Sequence, residues 1–338
     1  MDTARAVPTP RLGVRGRWAG LGQRPLVGLT VLLGLLILVV PEKTLATQLL
    51  VFGLFATSFN ILLGHAGLLS FGHSTFFGLG AYGTALVLKW WHPHVLLAVA
   101  AGVLVATVVA VGVGWFCLRR RRVYFSMLTL AFNQMIYFIL FQARDITGGD
   151  DGLRGIPLPD FDVPFLGAIA IESSRNPLSF YYFVLIIVLL CLLLIERILS
   201  SPFGRVLEAI RESEERARAC GYNSNRVLHI AFTFAGLFAG VAGALYALFF
   251  GFIGLETLSW VTAGVVVMMS ILGGVGTFVG PFVGAAIYLV LQEEVSKYTD
   301  SWQLYAGAIF VLCVLLFPRG VWGSIKDVVR ARDGRQHT

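Results

Sequence analysis

The sequence predicts an all-α fold: a polytopic membrane bundle of about ten transmembrane helices, with eight or nine as the alternatives, and one further helix on the cytoplasmic side. Three observations predict it. Hydrophobic residues make up 57% of the 338 and charged residues only 13%, about half the roughly 25% of a soluble domain. Long apolar runs recur along nearly the whole chain. Basic residues gather in alternate loops. A water-facing surface needs charge and a lipid-facing one does not, so the missing charge selects the class.

A span needs roughly 20 apolar residues. Qualifying runs cover 26–40, 44–63, 66–88, 94–118, 123–142, 179–195, 227–250, 257–274, 277–292 and 301–317. Between Thr44 and Leu88 only His65 and His73 interrupt the uncharged run, leaving room for two helices and a tight turn. The uncharged run from Thr257 to Gln292 holds 36 residues. Two helices of about 18 residues just fit a hydrocarbon core of about 30 Å, so this pair is short or one arm is re-entrant. Lipid offers no partner to an open backbone group, so the spans must be helical. The alternating ten-residue strands of a membrane barrel are absent from the sequence.

With ten spans the loops fall into two sets. One set holds 20 Lys and Arg, the other six: Lys43, Lys89, Arg144, Arg154, Arg175 and Lys297. The positive-inside rule places the first set, with both termini, in the cytoplasm, and the net charge of +7 is then topogenic. The chain divides into a cytoplasmic tail (1–25), a membrane domain (26–322) and a second cytoplasmic tail (323–338). The basic stretch before the first apolar run reads as an uncleaved anchor, since no small-x-small cleavage site follows it. Cys117, Cys191, Cys220 and Cys313 fall in spans or on the inner side, so no disulfide is expected, and their spacing suits no metal site.

Two loops exceed simple connectors. The outer segment 142–178 holds six acids, and Gly148, Gly149, Gly152 and Gly155 permit backbone angles that other residues avoid. It reads as a docking or gating surface or a plain connector. The inner segment 200–221 opens with Ser201 as helix N-cap and Pro202 at the first helical position. A helix then runs to Gly221, a C-cap glycine, with Glu212–Arg216 and Glu214–Arg218 as i,i+4 pairs and Val206, Ala209, Ile210 and Ala217 along one side. It either lies on lipid or docks a cytoplasmic partner.

These residues carry a family resemblance. Gly204-Arg-Val-Leu-Glu-Ala-Ile-Arg-Glu-Ser-Glu, followed by Ala-Cys-Gly-Tyr-Asn223, resembles the coupling helix of branched-chain amino-acid ABC transporter permeases of the LivM type. Gly64-His-Ala-Gly-Leu-Leu-Ser-Phe-Gly-His-Ser-Thr-Phe-Phe-Gly-Leu-Gly-Ala-Tyr82 resembles that family's early glycine-rich signature. Phe234-Ala-Gly-Leu-Phe-Ala-Gly-Val-Ala-Gly and Ile271-Leu-Gly-Gly-Val-Gly-Thr-Phe-Val-Gly-Pro resemble its C-terminal half, and Thr147-Gly-Gly…Gly-Leu-Arg-Gly-Ile156 resembles that subtype's outer loop. The likeness runs from about residue 44 to 322.

The resemblance implies an inner-membrane permease that hydrolyses no ATP. No Gly-x-x-x-x-Gly-Lys-[Ser/Thr] phosphate loop occurs in the sequence. ATP would be used by two partner ATPase subunits, with a second permease of the LivH type and a periplasmic binding protein. This chain would bind no cofactor. Arg205, Glu208, Ala209, Arg211, Glu212 and Gly221 would form the ATPase-coupling element, although the family helix carries more alanine where Glu214, Glu215 and Arg216 stand. Relatives serving urea, short amides or aromatic acids keep the solute open.

Polar groups inside lipid are costly and so nominate a path: Asn60, Ser70, His73, Ser74, Thr75, Asn133, Gln134 and Ser270. Gly67, Gly72, Gly78, Gly80, Gly240, Gly243, Gly273 and Gly274 nominate close helix packing. The glycine-broken segments 64–72 and 273–280 both turn at the inner face and could pair around the path. An ion-coupled secondary transporter is the rival class, but no Asp, Glu, Lys or Arg lies deep in a span. A passive channel or scaffold is a further alternative, and an enzyme is disfavoured for want of a nucleophile–base set.

Overall fold

A computed structural model describes residues 33, 43–91, 94–121, 123–157, 161–163, 167–169, 177–299, 301–317 and 320–324. The predicted span at 26–40, apart from Leu33, lies outside these residues, as do the N-terminal tail and residues 325–338. The described helices occupy the other nine predicted spans: α1 (Lys43–Asn60), α2 (His73–Trp90), α3 (Val95–Cys117), α4 (Val123–Gln142), α5 (Pro177–Ser200), α8 (Ser224–Phe250), α9 (Trp260–Gly273), α10 (Gly280–Ser296) and α11 (Trp302–Leu316). Between α5 and α8 lie two short helices, α6 (Pro202–Glu212) and α7 (Glu214–Ala219). Among the described residues the chain is all-α but for a two-stranded antiparallel hairpin in the loop between α4 and α5, β1 (Phe161–Val163) with β2 (Gly167–Ile169).

Six helical segments among the described residues are long and apolar enough to cross a membrane. The helices α2, α9 and α10 are not among them. For α2 the reason is shelter: every residue from His73 to Tyr82 is buried by neighbouring helices, so lipid does not select its composition. It also begins inside the bundle. Ser74 meets Asn133, which lies midway along α4.

The segment after α8 bears on the length of the last uncharged run. The Tyr82 hydroxyl donates to the Ile253 carbonyl at 3.3 Å, and Ser74 donates to that of Leu258 at 3.3 Å. Tyr82 and Ser74 lie two turns apart on α2, so residues 253–258 run back alongside it before α9 begins. The helix α9 therefore has only 14 residues, and α10 has 17.

The core is built on α1, α2 and α8, with α3 closing over the last two. Small residues allow this. Were Gly80 an alanine, its Cβ would stand 2.7 Å from the Cα of Gly240. At Gly83 it would stand 2.8 Å from the Cα of Gly102. Such contacts let backbones approach, and dispersion then holds helices that lipid does not squeeze together. By contrast α4 and α11 expose most of their apolar faces.

In the outer loop, Gly148, Gly149, Gly152 and Gly155 all adopt positive φ. Leu153 exchanges two backbone hydrogen bonds with Ile253, at 2.8 and 3.1 Å, and is buried. The first half of this loop is thus fixed on the segment 253–258.

Candidate functional site

The inner helix pair is the most structured element outside the bundle. The Ser201 hydroxyl accepts from the Phe203 amide at 3.2 Å, and Pro202 fills the first position of α6, as the sequence predicts. The single helix expected as far as Gly221 is instead two. Ser213 adopts extended angles (φ −159°, ψ 107°) and caps α7 through the Arg216 amide at 3.3 Å. Serine prefers such a cap to a helix interior because its hydroxyl satisfies an orphan amide. The break parts Glu212 from Arg216, while Glu214 and Arg218 pair at 2.7 Å. Gly221, at φ +89°, ends α7, with the Tyr222 amide reaching back to the Ala217 carbonyl at 3.2 Å.

The buried side of α6 is Gly204, Leu207 and Ile210. Ala209, expected on the apolar side, is exposed instead, beside Arg205, Glu208 and Glu212. Three polar contacts anchor the pair to the bundle. Arg211 donates to the Gly64 carbonyl in the π-helical turn Ile61–Ala66 that continues α1, and Glu208 meets His65 Nδ1 at 3.3 Å. Arg121, at the inner end of α3, grips Glu214 through Nε (3.0 Å to Oε2) and Nη2 (2.9 Å to Oε1), and also bonds Asn225 and the Leu118 carbonyl. The Arg121 hydrogen bond holds the Glu214 carboxyl below the usual carboxylate range.

The two glycine-broken turns meet at this anchor. Asn60 donates to the Thr277 carbonyl at 2.9 Å and accepts from the Gly276 amide at 3.0 Å. A Cβ on Gly276 would stand 3.3 Å from the Arg211 guanidinium, and one on Gly67 would stand 3.1 Å from the Arg211 Cγ. Gly67 and Gly274 both take positive φ, 69° and 118°. One arginine of α6 thus touches the turns that end α1 and α9.

The other polar residues nominated for a path sit between helices. The Asn133 amide donates to Ser74 Oγ at 3.0 Å, and Thr75 donates to Asn133 Oδ1 at 3.1 Å. Ser58 lies 2.9 Å from His73 Nε2, and Phe55 stacks on that imidazole. Ser270 donates to the Ala56 carbonyl at 3.4 Å. Ser70 is buried beside them, while Gln134 is half-buried. None of these eight lines one of the three main cavities. The glycines lie at close approaches. Gly72 packs on the Thr129 carbonyl, Gly78 on Leu258, Gly240 on Ala106, Gly243 on the Phe77 carbonyl and Gly273 on Gly280.

Sequence reasoning singled out none of the residues lining two openings beside α10. One is a chamber of about 710 Å³ among α1, α2, α8, α9, α10 and α11. The other is a cleft of about 200 Å³ between the start of α1 and the end of α10. Neither shows in a hydropathy profile, since their walls are ordinary span residues.

Residues 43–317 match the family model described as branched-chain amino acid transport system / permease component. The chain belongs to this family. It is 28% identical over 306 residues to the high-affinity branched-chain amino acid transport system permease protein LivM of Escherichia coli, covering 86% of this chain and 72% of that protein. LivM of Salmonella typhimurium is 27% identical over 307 residues, with the same coverage. The high-affinity branched-chain amino acid transport system permease protein LivH of Escherichia coli is 25% identical over 292 residues, covering 80% of this chain and 91% of that one. No solved structure matches significantly. The permease family is a transport family, and the six apolar helices agree with a membrane protein.

Proposed function

We infer that this permease is one of two membrane subunits of an ATP-driven importer for branched-chain amino acids. A second permease of the LivH type completes the solute path. Two separate ATPase subunits bind and hydrolyse ATP, and a periplasmic binding protein delivers the solute. Both termini and the α6–α7 pair lie on the cytoplasmic side of the inner membrane.

The observation that carries this reading is the arrangement of α6. Its apolar side is packed down, and Arg211 bonds it to the turn ending α1 and lies beside Gly276 of the turn after α9. Its opposite edge, with Arg205, Ala209 and Glu212, is exposed. That is what a rigid lever between an ATPase and the spans requires: one face gripped by the bundle, the other offered to a partner. An isolated interfacial helix needs no such anchor.

The test is co-purification in mild detergent followed by reconstitution. Recovery of an ATPase and a second permease, with ATP-dependent uptake of leucine from its binding protein, is the expected result. Uptake by this chain alone, driven by an ion gradient, would overturn it.

A further inference from the structure

The two openings beside α10 share a wall. Gln292 lines both the small cleft, with Thr44, Gln48 and Glu293, and the large chamber. The cleft is predominantly polar and the chamber predominantly apolar. Phe52, Phe77, Tyr246, Tyr288 and Trp302 contribute aromatic surface to the chamber, with Val265 and Met268 between them. Its few polar side chains include the Glu256 carboxylate and the Gln292 and Gln303 amides. Its volume, about 710 Å³, falls within the roughly 300–1,000 Å³ of small-molecule sites.

Two glycines mark the chamber as a space kept open. A helix-interior glycine is less favourable than alanine, because it has more backbone freedom to lose. In the tight part of the bundle that cost has a visible reason, since a Cβ on Gly80, Gly243 or Gly284 would strike a facing backbone. At Gly264 of α9 and Gly307 of α11 a Cβ would meet nothing within 4 Å. Both line the chamber. Within this chain nothing packs on them, and their smallness leaves volume empty instead.

We propose that this chamber, entered through the polar cleft at Gln292, is the outer binding station for a small amino acid with an apolar side chain. The aromatic and aliphatic walls take the side chain. The Glu256 carboxylate supplies a countercharge for the ammonium group, and the Gln292 and Gln303 amides supply donors for the carboxylate. Gly264 and Gly307 set how large a side chain fits. The proposal rests on the importer reading above and adds to it where in this subunit the solute rests.

The experiment uses the assembled importer in vesicles, with Gly264→Leu, Gly307→Leu and, as control, Gly112→Leu. A Cβ on Gly112 also meets nothing, but that residue is exposed on α3 away from the chamber. Gly264→Leu should cut leucine uptake by roughly ten-fold or more and alanine uptake by less, because the added methylenes occupy side-chain space. Gly112→Leu should transport as wild type. All three should still co-purify with their partner chains. Wild-type uptake through Gly264→Leu, or equal loss of leucine and alanine, would overturn the proposal. The first result would leave the chamber to lipid, and the second would make Gly264 a contact for the second permease. Should Gly264→Leu not assemble, Gly264→Cys decides: a water-soluble thiol reagent added outside should label it, and leucine-loaded binding protein should slow that labelling. No labelling, or labelling that solute does not slow, would also sink the proposal. Absence of ATP-driven uptake by the wild-type assembly would instead count against the importer reading.

Discussion

Two groups of helices in this permease use the same small residue for opposite purposes. Around α2, α3 and α8 the glycines are contact points, and Gly80, Gly83 and Gly243 each face another backbone. Around α9 and α11, Gly264 and Gly307 face empty space. The polar residues divide likewise. Asn133, Ser74 and Thr75 bond one another in the tight region, whereas Gln292 and Glu256 line an opening. The difference teaches that a small or polar residue in a span has no fixed meaning; its neighbour supplies it. The tight region serves as frame and the loose one as the part with room for a solute or for motion.

The largest effect expected from this contrast is at Gly243. A valine there would drive its Cβ onto the Phe77 carbonyl, 2.7 Å from the carbonyl carbon, with the Ala81 amide 3.0 Å away. Backbone cannot yield as a side-chain tip can, so destabilisation of about 3 kcal/mol or more is expected. Thermal melting in detergent should show it as a sharp loss of monodisperse protein. Were Gly243→Val to melt as wild type does, the tight half would be no tighter than the loose one.

Next in size is Arg211, which joins the two halves by touching the turn after α1 and the turn after α9. Removing a hydrogen bond from a charged donor costs about 1.5–3 kcal/mol, which is roughly ten-fold or more in an equilibrium. Arg211→Met should let ATP hydrolysis continue while solute moved per ATP falls about ten-fold. Equal falls in hydrolysis and uptake would place Arg211 on the ATPase side rather than in the anchor.

A smaller effect separates cement from path. Asn133→Val removes bonds to Ser74 and Thr75 but touches none of the three main cavities. Interhelical polar pairs in membranes average about 0.6 kcal/mol, with a maximum of about 1.7. Melting should shift by that amount, and the KM for uptake should stay unchanged. A raised KM with unchanged melting would return Asn133 to the solute path.

Much of the fold was legible because the signals are local. Apolar length places α3, α4, α5 and α8 within a few residues of their predicted bounds, and Ser201, Pro202 and Gly221 punctuate the inner segment as their backbone chemistry dictates. What sequence could not assign are properties that belong to pairs. Ser213 divides the inner helix because extended angles there let Glu214 reach Arg121, 93 positions earlier in the chain. Ala209 faces outward because Leu207 and Ile210 are the residues the bundle receives. Asn60 and Gln292 are both polar groups in apolar runs. One is consumed by Gly276 and Thr277, the other lines an opening, and no composition distinguishes them.

The smallest prediction tests the second anchor of the inner helices. Glu214 is held below its ordinary value of 4.5, first by the hydrogen bond from Arg121 and further by the charges of Arg121 and Arg218, while partial burial pulls the other way. Its carboxyl is therefore more acidic folded than unfolded. The stabilisation it gives is fully present above about pH 4.5, the unfolded value, and is lost as pH falls through the lower folded value. The side chain is 26% exposed, so solvent screens the pair, and about 0.2–1 kcal/mol is the appropriate size. Wild type should melt higher than Glu214→Gln at pH 7, and the gap should close as the carboxyl is protonated. A gap that persists unchanged to acid pH would mean that the ionised carboxylate contributes nothing and that α7 is held by the buried Ala217 instead. If the gap closes as expected while Arg211→Met still uncouples transport at pH 7, then the two anchors do different work: Arg121 fixes α7 to the tight frame, and Arg211 carries motion toward the loose half.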